Sequence, residues 1–534
     1  MIRCTLAKVL FCYLGISFLS VFSGPTLFAQ INNGCLAGSV NDNTKGFGVN
    51  SFLYTGSGNT FSSGTVNPLK GTIDWFKPIG GDASHRNIID QTDPSSLVSI
   101  LNGADNNPTY VRRQNGDISS KADIESSTKY SFLIDAIWAR DNFGGSGAVD
   151  TTSFAVSSKN GQDPLLWGPG VSKVLGKNDL VDVADHMFRE IDSGASPIVN
   201  NLWFVGLINR AEPGGDAYMD FEFYVRDVGY NKTTQKFSYA GPDKGHTSFN
   251  FDAGGNITQL GDMLYNVSLT GGGTNPNIQV RIWVSYVDYT SITPKDFTWG
   301  PDFDGATSGA TYGYASIIPN ASNSLCGFVN TAGQLPTVPP WGSKNTKGNV
   351  YVPDGGTYLE YSVAEVALNL TAIGLDNYLS AGADVCDFPW KTFMIKTRSS
   401  AAFTAALKDF AGPYAWGRPT AGVSGTTDTI SCINPTVTLT ASPVRSDATY
   451  SWTTTDGQIV GTSTSSSIVV DKPGSYNLSI ALTNGCPVQA VPFNVYYDAT
   501  KPVISSATAT PIVACSGSDG SVTVRLQTNV DYRL

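Results

Sequence analysis

The segment "DAYMDFEFYVR", residues 216–226, constrains this chain more than any other. Ala217, Met219, Phe221, Phe223 and Val225 alternate without a break with Asp216, Tyr218, Asp220, Glu222, Tyr224 and Arg226. A period of two puts each set on its own face of a β-strand, so one face packs on a core while the other meets water, a ligand or a covering loop. The preceding "NLWFVGLINRAEPGG" predicts a second strand, joined to the first through Pro213, Gly214 and Gly215. A hairpin follows in "GDMLYNVSLTGGGTNPNIQVRIWVSY". There Met263, Tyr265, Val267 and Leu269 alternate before the glycines at 271–273, and Ile278, Val280, Ile282 and Val284 alternate after them.

Composition extends this β reading to the whole chain. Charged residues make up only 15% of the 534 residues, against 56 glycines and 11% aromatics, which suits tight-turned extracellular β-structure better than helical bundles or disorder. The net charge of −10 repels phosphate backbones and excludes nucleic acid as a natural partner. At the N-terminus, Arg3 and Lys8 precede an apolar run from Val9 to about Phe22, and small Ala29 precedes Gln30. That is the layout of a secretory signal peptide over residues 1–29, and the mature chain is expected to have no membrane span.

Three segments read as helices. In residues 177–191, Leu180, Val183, Ala184 and Met187 recur at helical spacing, leaving His186 on a solvated face with Asp182, Asp185, Arg189 and Glu190. In "YSVAEVALNLTAIG", Ser362 and Glu365 have capping-box spacing and Gly374 is a fitting stop. In "KTRSSAAFTAALKDFAGP", Phe403, Ala406, Leu407 and Phe410 form a stripe ended by Gly412 and Pro413. The expected architecture is therefore mainly β: a lectin-like or jelly-roll β-sandwich with accessory helices over 30–420, then an Ig/PKD-like β-sandwich over 425–500. Residues 501–534 open a further β repeat with too few strands to bury a core.

Cleavage after Ala29 leaves Cys35, Cys326, Cys386, Cys432, Cys486 and Cys515, with no CxxC or Cys/His cluster to suggest zinc. In an exported chain they read as disulfide formers. Cys432 with Cys486 is the first expected pair, inside the second sandwich and around Trp452, and Cys326 with Cys386 is the next. Cys515 is left over.

The blocks "INRAEPGGDAYMDFEF", "GDMLYNVSLTGGG", "LCGFVNTA", "AEVALNLTAIG" and "CDFPWKTFMIKTRSSAAFTAALKDF" follow one another between about 177 and 413. This stretch resembles a module near the start of large exported surface proteins of bacteria, including Bacteroidota. With "YSWTTTDG" and "DKPGSYNLSIALTNGC", residues 425–498 resemble a PKD or Ig-like repeat, and "CSGSDGSVTV" is similar to the opening of repeats in large gliding adhesins. The resemblance implies a modular protein displayed on or released from the cell surface, with no established chemistry for the front module.

Chemistry itself has little signal. With three histidines, no G-x-S-x-G elbow and no phosphate loop, neither Ser-His-Asp hydrolysis nor nucleotide binding is supported. Asp220 and Glu222 meet the carboxylate separation of a glycosidase simply by standing two apart on a strand. The leading expectation is a secreted or cell-surface, non-enzymatic protein of adhesion, partnered by an extracellular glycan or surface protein. The alternative is a carbohydrate-binding protein using Asp216, Tyr218, Asp220, Glu222 and Tyr224, assisted by calcium at Asp302 and Asp304 in "GPDFDGATSG". A glycoside hydrolase comes third.

Overall fold

Apolar alternation builds two large antiparallel sheets in the computed structural model, which describes residues 29–30, 35–38, 46–54, 73–76, 86–89, 109–112, 129–141, most of 150–376, 389–415, most of 422–498 and parts of 504–526. In chain order the strands of these sheets are β1 (Thr109–Arg112), β2 (Lys129–Arg140), β3 (Asp150–Phe154), β4 (Pro169–Ser172), β5 (Leu180–Asp192), β6 (Val199–Arg210), β7 (Ala217–Tyr224) and β8 (Met263–Thr270). They continue as β9 (Asn275–Ser285), β10 (Phe297–Asp304), β11 (Tyr312–Pro319), β12 (Leu325–Val329), β13 (Val363–Asn369), β14 (Thr392–Arg398) and β15 (Leu407–Ala415). The larger sheet runs β10-β11-β9-β8-β7-β14-β15-β3-β4, with Ala29–Gln30 added beside β9. The smaller runs β12-β13-β6-β5-β2-β1.

The two sheets share one core. Met219, Phe221 and Phe223 of β7 point at Phe204 of β6, whose ring lies 5.0 Å from Phe223 and 5.7 Å from Phe221. The β8–β9 hairpin forms as its alternation predicts, with Val267 opposite Ile278 and left-handed glycines at 271–273. The 211–216 connection is different: it carries the chain from one sheet to the other, because β6 and β7 lie in separate layers. Arg210, fully buried, fixes that crossing by donating to the carbonyls of Pro213, Gly215 and Tyr361.

All three expected helices are corrected to strands. Residues 180–192 are β5, 363–369 are β13, and 392–398 with 407–415 are β14 and β15. The smaller sheet is covered on its second face as well. Trp138, Ala184, Phe188, Val205 and Ala367 pack there against Phe47, Trp75, Phe76 and Trp341. A strand buried on both faces loses the polar–apolar alternation that would identify it, and a register shift between Leu180 and Val183 breaks what remains. His186 is accordingly a core residue, stacked on Phe188 at 4.9 Å rather than solvated. Among the described residues the α-helix is short, Tyr286–Ser291, and no helix is long and apolar enough to cross a membrane.

Cys326 is bonded to Cys35, not to Cys386 as expected; Cys386, Cys432, Cys486 and Cys515 lie outside the described residues. The bond ties strand Cys35–Ala37 of the cover onto β12. A long closed loop makes such a bond valuable in chain-entropy terms. Cys326→Ser is expected to lower unfolding free energy by roughly 3–5 kcal/mol, and an unchanged melting midpoint would show that the cover holds itself.

Residues 422–497 form a second sandwich with its own core of Val437, Leu439, Trp452, Val470, Tyr476 and Leu478. Asp456-Gly457 connects strands of opposite sheets there, so it marks a crossover and not the hairpin its residue types suggest. Beyond it, strands Ile504–Thr510 and Ser521–Leu526 pair with each other.

Candidate functional site

The polar face of β7 is covered, not open. Asp220, Glu222 and Tyr224 are fully buried and Tyr218 is 9% exposed. Arg398 on the neighbouring β14 donates to Asp220 at 2.8 Å, and Asn160 and Asn266 add bonds of 2.6 and 2.5 Å. Lys396 pairs with Glu222, which also accepts from Tyr224 and Tyr314 at 2.5 Å each. Register places Lys396 opposite Asp220 and Arg398 opposite Tyr218, so each cation reaches diagonally to the carboxylate of the next pair. Asp216, at the strand's mouth, accepts from the backbone N–H of Gly272.

Three loops form the lid. Asn160 and Trp167 come from residues 156–168, with the Lys396 ammonium 4.4 Å above the Trp167 ring. His246 lies between Tyr224 and Trp283, its Nδ1 3.4 Å from Asp262 and 3.8 Å from Glu222. Arg398 holds the 399–406 loop by its carbonyls at 400, 401 and 402. Burial pushes the Tyr224 and Tyr314 hydroxyls well above their ordinary range, and Glu222 adds to both, so each stays a donor. The alternation therefore finds the face correctly, and the expectation that its carboxylates await a ligand is corrected: buried cations already hold them.

Asp302 and Asp304 are also engaged. Arg281 of β9 pairs with Asp302 at 3.1 Å and with Asp304 at 2.5 Å, and Gln279 donates to Asp302. A guanidinium thus sits where a calcium ion was expected. The loop that follows does form a concavity, a groove of about 570 Å³ lined by residues 303–310 together with Lys159, Tyr286 and Thr404. A Cβ built on Gly161 would lie 2.6 Å from the carbonyl carbon of Gly305, so two backbones touch at the groove's base. Tyr286 is 51% exposed, with its ring centroid 5.1 Å from that of Phe303.

Two carboxylate clusters had no motif to reveal them, since their members lie far apart in sequence. Asp141, Asp150 and Asp409 converge at the start of the larger sheet's last strands, each offering an oxygen within 4.8 Å of the others. Asp409 accepts from the backbone N–H of Leu180, and Thr152 donates to both Asp150 and Asp141. Burial first, then Asp150 beside it, pushes the Asp409 carboxyl well up. Such a set is satisfied by shared protons or by an oxygen-seeking cation. In the other cluster, Glu365 of β13 accepts from the backbone N–H groups of Asn50 and Ser51 and from the Trp75 indole, at 2.7–2.8 Å. The residue expected to cap a helix instead fastens the cover to the sheet.

No family model and no curated protein matches the chain. Among solved structures, it is similar to "Biofilm associated protein - BSP domain" at 6% identity, with 74% of this chain and 96% of that one covered, at a TM-score of 0.12. A fungal alcohol oxidase of the AA5 family, in complex with copper, aligns at 12% identity over 68% and 83% of the two chains with a TM-score of 0.11. Neither likeness carries an argument about fold or activity.

Proposed function

We propose that this is an exported, modular surface protein that acts in adhesion or surface interaction without catalysing a reaction. Its signal-peptide layout, hydroxyl-rich composition and succession of β-sandwiches support that reading, as does its resemblance to the front of large bacterial surface proteins. The observation that carries the non-enzymatic part is the state of β7. A glycosidase needs one carboxyl to give a proton and another to attack or activate water, both open to the sugar. Here Asp220 is held by Arg398 and Glu222 by Lys396, each fully buried beneath the lid.

The test incubates the full chain with bacterial cells, host-type cells and insoluble polysaccharides, measuring both retained protein and reducing ends released. Retention without release of reducing ends is expected. A steady release that disappears in Glu222→Gln would make the protein a glycoside hydrolase instead.

A further inference from the structure

The groove beside β10 has the parts of a sugar site, and we propose that it binds a neutral saccharide. This rests on the adhesion reading and gives it a ligand class. A pyranose ring presents an apolar C–H face and a rim of hydroxyls, so it needs an exposed, immobile aromatic ring beside unspent donors and acceptors. Tyr286 supplies the ring. Phe303 meets it edge-on at 73°, and Tyr289 stands 5.2 Å behind Phe303, so the platform is braced before any ligand arrives.

The polar complement is also in place. Asp304 gives Oδ2 to Arg281, leaving Oδ1 to accept from a sugar hydroxyl. The side chains of Thr307, Ser308 and Thr404 and the ammonium of Lys159 make no hydrogen bond or ion pair among the described residues, and all line the groove. Charge selects the class of sugar. The charged residues that line the groove are Lys159 and Asp304, one of each sign, and the buried Arg281 behind them is offset by Asp302, so the groove offers no net charge to an acidic glycan.

An extended peptide is the natural competitor, because β10 is an edge strand. The short helix blunts that edge: the Tyr289 hydroxyl takes the Gly300 carbonyl, and Trp299 donates its indole N–H to the Ile292 carbonyl. The Gly300 carbonyl, three residues before Phe303, where β10 begins to line the groove, is therefore not free to pair with a peptide.

The experiment titrates the full chain with neutral gluco-, manno-, galacto- and xylo-oligosaccharides, with uronic-acid oligosaccharides and a random peptide pool as comparison arms. Binding to at least one neutral series is expected. Tyr286→Ala, which removes the platform, and Ser308→Trp, which fills the mouth from an exposed position, should each weaken it by about tenfold or more at an unchanged melting temperature. Binding only to uronic acids or peptides, no binding to any neutral series, or neutral binding indifferent to both substitutions would overturn the proposal. Surface retention that free neutral sugar does not compete would overturn the groove's role while leaving adhesion standing. Sugar binding without retention on any surface would overturn the adhesion reading and leave the saccharide site.

Discussion

Lys396→Met is expected to lower unfolding free energy by about 3–5 kcal/mol, read from urea denaturation at neutral pH. Lys396 is fully buried and supplies the cation for Glu222, which is fully buried too. Taking away one partner leaves a carboxylate inside protein that no longer has an opposite charge, and the whole desolvation cost then falls on folding. The Tyr224 and Tyr314 hydroxyls still reach Glu222, which keeps the cost from rising further. Adding Glu222→Gln to Lys396→Met should return most of the loss, since the amide accepts from one tyrosine through its oxygen, donates to the other hydroxyl through its NH2, and needs no cation. A single substitution costing under about 1 kcal/mol would place this layer among weak, water-screened pairs and would reopen β7 as a ligand face.

The second large effect is expected at Glu365. Glu365→Ala strands three buried donors at once, those of Asn50, Ser51 and Trp75, and should cost roughly 4 kcal/mol with early loss of the cover formed by 46–54 and 73–76. The same residue makes stability depend on pH. Burial raises the Glu365 carboxyl from 4.5 to about 7, outweighing the three N–H donors that lower it. Asp74 is raised as well, by burial and then by Glu365. The folded protein thus keeps protons that the unfolded chain has released. Its contribution is whole below about pH 4.5, declines as pH rises, and is spent once pH passes about 7. Measured as wild type minus Glu365→Gln, stability should fall across that window; a flat difference would refute the shift.

How much of this was legible depends on which faces a strand buries. Ala217–Tyr224 and the β8–β9 hairpin were readable because one side is apolar and the other polar, and alternation survives even when the polar side is roofed over. Leu180–Asp192 was not, because Asp182 and Glu190 are interior charges. Asp182 takes a bidentate Arg140 and a hydroxyl from Tyr358, and Glu190 accepts from the Trp203 indole. In sequence, buried ions imitate a solvated helix face. The candidate site was half legible. "GPDFDGATSG" pointed to the loop that lines the groove but not to the partner of its carboxylates, since Arg281, which takes both, sits on another strand and gives no local sign. Tyr286 and Lys159 reach the groove from still other segments.

The larger sheet also sets an order in which the chain can be completed. Strand β7 lies between β8, the next strand of this sheet along the chain, and β14, whose Arg398 stands opposite Tyr218, while β15 closes on β3 through Asp409 and Ser153. A chain growing from its N-terminus can zip β8, β9, β10 and β11 as neighbours, yet β3, β4 and one edge of β7 must wait for residues past 390. Pairings this distant are slow to find. They also make a cut between the exposed Gly271 and Gly272 survivable, because the two pieces are stitched to each other along β8–β9, β7–β14 and β3–β15 and would have to part in concert.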